Sequence, residues 1–180
     1  PLDGPLEIWW NFVSSSKDQP HGIQTQPGAG DHGSQVGLLL VGGGDFLGPH
    51  VVVGVPGDVY LTNAVTEVVL DEDAAVEHYK VQNETETAFH VAFLGVQQGR
   101  GSRFSAHSVA LGSSLARHEA RVRLEAPGAE TVLNGLYMAR GKQHLDNSTT
   151  IEHSAPQCTS RELYKGVVDE RGRGVFDGRI

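Results

Sequence analysis

From Val36 onward, short runs of alternating apolar and polar residues are separated by turn-forming clusters, a texture that predicts an all-β chain. The clearest run is 120–126, where Ala120, Val122, Leu124 and Ala126 share one face and Arg121, Arg123 and Glu125 the other. A period of two is that of a strand with one buried face, so the arginines are expected in solvent. Phe89, Val91 and Phe93 make a similar stripe, as do Phe104, Ala106, Ser108 and Ala110; Val132, Asn134, Leu136 and Met138 make a weaker one.

Turn chemistry punctuates these runs. Asp71-Glu72-Asp73, Gln98-Gly99-Arg100-Gly101, Leu111-Gly112-Ser113-Ser114, Ala126-Pro127-Gly128 and Gly141-Lys142 supply the Gly, Pro and Asp that reverse a chain. Their spacing in the second half, roughly 12–16 residues, is that of a sandwich, barrel or solenoid. Helical periodicity is confined to Ser160 to Gly166, which has room for about two turns. Asn63, Asn134 and Asn147 are placed at strand edges or bends, as stacked solenoid coils require, although no strict repeat is visible.

The first 34 residues read differently. Residues 1–18 hold both tryptophans, and 19–34 are rich in Gly, Gln, His and Pro with no apolar period, which is linker chemistry. The expected organisation is an N-terminal segment, 1–34, outside the core, and a β-rich core over 35–180. Gly42-Gly43-Gly44-Asp45-Phe46-Leu47-Gly48 lacks the third glycine of a dinucleotide loop, and Pro49 with Val51-Val52-Val53 excludes an opening helix, so it is expected to be a plain loop.

Composition narrows the function. A net charge of −8 repels phosphate backbones and sets nucleic acid aside as a partner. The apolar run 36–41 is too short for a membrane span, and no secretory signal is expected at the N-terminus. One cysteine, Cys158, excludes an internal disulfide and suits a reducing compartment. Both ends of the chain read as cut, which is the expectation for a fragment.

The densest group of reactive side chains is His144, Asp146, Glu152, His153 and Cys158. Imidazole, carboxylate and thiolate suit iron or zinc, so His144, His153 and Cys158 are the candidate metal ligands, with Asp146 on the His144 face as an orienting carboxylate. Glu152 and His153 fall on opposite faces of a strand, which works against convergence of all five, and no paired C-x-x-C is present. Cys158 as a nucleophile lacks a base-orienting partner and an oxyanion hole. Lys80, Arg103, Arg117 and Arg121 are expected on solvated faces. Asn83-Glu84-Thr85 and Asn147-Ser148-Thr149 fit the glycosylation pattern but are expected to be coincidental.

Several strings, in order, resemble the SufB/SufD family of iron–sulfur cluster assembly proteins, and within it the SufD type. They are Asn63-Ala64-Val65-Thr66-Glu67-Val68-Val69-Leu70, His78-Tyr79-Lys80-Val81-Gln82, Ser102 to Ser108, Leu133-Asn134-Gly135-Leu136-Tyr137 and, most fully, residues 143–180. The resemblance is good over 60–180 and looser over 35–59. It implies a right-handed parallel β-helix, truncated at its C-terminal end, that serves as a cytoplasmic scaffold subunit and not as an enzyme. It also implies a complex with SufB-like and SufC-like (ATPase) subunits and no tightly held cofactor, only an Fe–S cluster held transiently with a partner. The family's Cys-x-His-Gly-Ala motif and its SufC-docking helical region have no counterpart up to Ile180, so no residue inherits their roles. A truncated coil is expected to self-associate in isolation.

Trp9 to Asp18 instead resembles the C-terminal end of pirins, iron-binding cupin-fold proteins. The alternatives are therefore a cupin-type iron-binding enzyme and a metal-free interaction module.

Overall fold

The computed structural model describes residues 6–15, 49–53 and 59–180, the first two segments by backbone course alone. The candidate boundary near residue 34 and the glycine-rich loop 42–48 lie outside the described residues. The strands are β1 (Leu6–Ser15), β2 (Pro49–Val53), β3 (Leu61–Leu70), β4 (Ala75–Asn83), β5 (Phe89–Gln98) and β6 (Arg103–Ala110). They continue with β7 (Leu115–Leu124), β8 (Glu130–Ala139), β9 (His144–His153), β10 (Thr159–Val168) and β11 (Arg173–Arg179). No helix occurs among the described residues, and hence none long and apolar enough to cross a membrane.

Every strand pairs in parallel with the strand two places along. The odd strands form one sheet in the order β1-β3-β5-β7-β9-β11, and the even strands form the other, β10-β8-β6-β4-β2. A chain that alternates between two parallel sheets in this way is a β-solenoid, as the family resemblance implies. The register partners Leu61, Phe89, Leu115, His144 and Arg173 stand 28, 26, 29 and 29 residues apart. That unevenness explains why no strict sequence period can be seen.

Turns close where their chemistry predicts. Asp73, Gly101, Ser113, Gly128 and Gly141 all take positive φ. Gly112 is required for a different reason, because a Cβ there would collide with the Glu84 backbone.

Between the sheets runs a column of side chains headed by Phe104, Leu70, Leu94, Leu124, Leu133 and Ile151, all essentially inaccessible. The β7 stripe is as expected: Ala120, Val122 and Leu124 are buried, and Arg121 and Arg123 are exposed. Phe104 and Ala106 likewise face inward.

Two strands run with the opposite face inward. In β5 the buried residues are His90, Ala92, Leu94 and Val96, and Phe89, Val91 and Phe93 face outward, with the Arg121 guanidinium 5.9 Å from the Phe93 ring centroid. In β8 the buried set is Thr131, Leu133 and Ala139, while Leu136 and Met138 are exposed. Both strands carry apolar residues on both faces, so alternation alone does not select the inner one. Ser160 to Gly166 is strand β10, in register with β8, and not a helix. Asn63, Asn134 and Asn147 lie within strands, not at bends.

Candidate functional site

The five residues from His144 to Cys158 are distributed along β9 and the turn after it. His144 begins the strand and His153 ends it. Nine steps of about 3.3 Å place their backbones some 30 Å apart. They also lie on opposite faces, since His153 follows the inward parity of Ile151 and His144 the outward one. Asp146 does share the His144 face, but its carboxylate accepts a 2.6 Å hydrogen bond from Arg117 on the neighbouring strand. Glu152 accepts from Arg123 at 3.1 Å. Cys158 is a half-buried free thiol packed against the core, its Sγ donating to the Ala126 carbonyl at 3.3 Å.

His153 is exposed. Its Nε2 is 2.9 Å from Ser160 Oγ on β10. Together with Ile151 and Ile180 these residues line a shallow, open depression. Among the described residues no three His, Cys, Asp or Glu side chains come together as a metal-holding set. A mononuclear iron pocket of cupin type would need such a set.

A different cluster is brought together at the corner joining β4, β5 and the β6–β7 turn. Glu84 follows β4 in the turn and directs its carboxylate inward, where it is buried. Thr62 on β3 donates to its Oε1 at 2.5 Å, and Gln82 Nε2 donates to its Oε2 at 2.8 Å. Ser113 on the next coil donates to the same Oε2 at 3.3 Å and accepts from Gln82 Nε2 at 2.6 Å, while the Gly112 amide donates to Gln82 Oε1. His90 Nδ1 sits 2.7 Å from Glu84 Oε2, yet neither ring nitrogen has a well-aligned hydrogen bond.

Lys80 lies on the inward face of β4, buried alongside His78 and Gln82 and not in solvent as its charge suggests. Burial pulls its pKa down to about 8, against the upward pull of Glu84. For Glu84, burial pushes the pKa up, but the His90 contact and the hydrogen bonds from Thr62 and Gln82 outweigh it and hold the carboxyl below its ordinary value. Burial, followed by the Lys80 charge, lowers the pKa of His90 against the pull of Glu84. Near neutral pH the set therefore holds one ammonium, one carboxylate and a neutral imidazole. A buried carboxylate is tolerable here because it is both hydrogen-bonded and compensated.

Sequence reasoning missed this cluster. The available signal was parity, since Lys80 stands two and four residues from His78 and Val76 on the inner face of one strand. The inward turn of Glu84 had no signal at all.

Comparison with known proteins places this architecture. The family model for the SUF system FeS cluster assembly SufBD core domain matches residues 47–180. An iron–sulfur cluster assembly SufBD family protein of Synechocystis sp. is 32% identical over 121 residues, covering 67% of this chain and 27% of that protein. Protein ABCI7, chloroplastic, of Arabidopsis thaliana is 33% identical over 67% of the chain and 26% of its own length. The iron–sulfur cluster assembly protein SufD of Escherichia coli is 28% identical over 67% of the chain and 29% of its own length. The chain thus spans less than a third of each of these relatives. No solved structure matches it significantly.

Proposed function

We propose, because this chain belongs to the SufBD core family, that it is a scaffold module for iron–sulfur cluster assembly, holding the other subunits of a Suf-type complex in place and carrying out no turnover of its own. The observation that carries this reading is the parallel two-sheet coil of residues 59–180, which falls within the family-matched segment.

The partners on this reading are SufB-like and SufC-like subunits in a reducing cytoplasmic setting, and the nascent cluster is cargo shared with a partner. His144, His153 and Cys158 point to separate places, so each would serve as a single ligand completed by another subunit. His153, exposed beside Ser160 on β10, is the most accessible in this reading through its position in an open depression.

The test is co-expression of the chain with SufB-type and SufC-type subunits followed by size-exclusion chromatography. A stoichiometric complex is expected. Elution of the chain by itself, with the partners associated only with each other, would count against the scaffold reading.

A further inference from the structure

We propose that Glu84, held between Lys80 and His90, is a proton-controlled latch that fastens the 111–114 turn to the coil before it, and that acid opens this corner.

The latch is built from side chains on separate coils. Glu84 Oε2 receives Ser113 Oγ, and Gln82 bridges the same junction through Ser113 Oγ and the Gly112 amide. The backbone closes over it, with Ser113 N donating to Glu84 O at 3.3 Å and Ser114 N donating to Ala88 O at 2.8 Å. Gly112 packs so close to the Glu84 backbone that a Cβ there would collide with it. The charge on Glu84 is thus the common acceptor for β3, β4 and the turn, with His90 of β5 close beside it.

Among the described residues, the titratable groups facing Glu84 are Lys80 on β4 and His90 on β5, while β3 and the turn contribute the hydroxyls of Thr62 and Ser113. His78 on β4 and, by strand parity, His118 on β7 face the same interior. A proton added to His90 places a second cation beside Lys80 in a space from which water is excluded. A proton added to Glu84 removes the acceptor. Either event is relieved when the corner opens and water enters.

The directions agree. All three groups have lowered pKa values in the closed corner, so the open corner binds more protons at every pH where they differ. With an open-state histidine near 6.5, opening becomes about tenfold easier for each pH unit below that value until the closed-state pKa is reached.

Amide hydrogen exchange on the whole chain, corrected for intrinsic pH dependence, tests this. Protection at Gly112, Ser113 and Ser114 is expected to fall as the pH is lowered through 6.5 toward the closed-state pKa of His90. Protection at Gln143 and Gly172, in turns closed by ordinary backbone bonds, is expected to hold. His90→Gln should flatten the response at 112–114. A uniform loss at all five amides, or an unchanged response in His90→Gln, would overturn the latch. Should that variant fail to fold, the His90 ring can be followed by NMR in the unaltered chain. Its closed-state titration must lie below 6.5, with protection lost between 6.5 and that value, and titration at an ordinary value with no such loss would equally overturn the proposal.

Discussion

Tyr164 on β10 lies in register with Gly135 on β8, and its ring fills the space that a Cβ at position 135 would occupy. The arrangement is reciprocal, for Gly166 on β10 faces Tyr137 on β8, whose ring fills the corresponding space. Phe176 then stacks on Tyr164 across the interior, with centroids 4.7 Å apart. A glycine paired with an aromatic lets the ring lie flat on the neighbouring strand and restores the buried area that glycine lacks. Gly135→Ala is therefore expected to lower stability by about 1–3 kcal/mol, the usual cost of overpacking. Thermal unfolding of the variant beside the unaltered chain measures it, and an unchanged midpoint would mean that Tyr164 does not rest where described.

Lys80 makes a pH prediction with a definite sign. Its folded pKa is lowered to about 8 from 10.5, so between those values the unfolded chain holds a proton that the folded chain has released. Stability from this group therefore rises with pH across that window, by roughly 1 kcal/mol per unit. Denaturant titrations from pH 8 to 10 should show this rise in the unaltered chain relative to Lys80→Met. Parallel curves for the two would contradict the buried ammonium.

Tyr164 acts in the opposite direction. Burial raises its phenol to about 12, partly opposed by a hydrogen bond with Ser108. The unfolded chain ionises first, near 10, so stability is lost as pH rises from about 10 to 12. Absorbance titration of Tyr164→Phe should lack a tyrosine that ionises near 12 in the unaltered chain, and an unchanged titration would contradict the burial of this phenol.

Two carboxylates with similar partners should differ sharply in effect. Asp146 pairs with Arg117 at a site where the guanidinium is 49% exposed, so Asp146→Ala should cost under about 1 kcal/mol. Glu84→Ala leaves Lys80 buried without its counter-charge and Thr62 and Ser113 without an acceptor, a loss of about 3–5 kcal/mol. Equal effects, measured by chemical denaturation, would show that the corner is wetter than its burial indicates.

The sequence made some of this legible for physical reasons that can be named. In β7 the outward positions are charged, so the pattern had a single solution, and Val122 and Leu124 were placed in the core correctly. In β5 a row of aromatics competed with Ala92, Leu94 and Val96, and nothing local records that Arg121 on the next strand covers Phe93. That ambiguity also hid His90, which belonged to the face taken to be outside. Lys80 was assigned to solvent on residue type alone, whereas the charge that keeps it inside comes from a turn four residues later. His144, His153 and Cys158 are close in sequence, yet a strand separates its ends by its full length, so closeness there says little about a shared ligand set. The coil itself was recoverable mainly through resemblance, because register steps of unequal length leave no repeat to find.

The most direct measurement is anaerobic cluster reconstitution with SufB-type and SufC-type partners, scored by labile sulfide and cluster absorption with and without this chain. A scaffold should raise cluster yield in a complex that contains it, in proportion to the chain incorporated, while showing no cluster when incubated without partners. Equal yield whether or not the chain is present, or a stoichiometric iron centre formed on the chain unaided, would contradict that role.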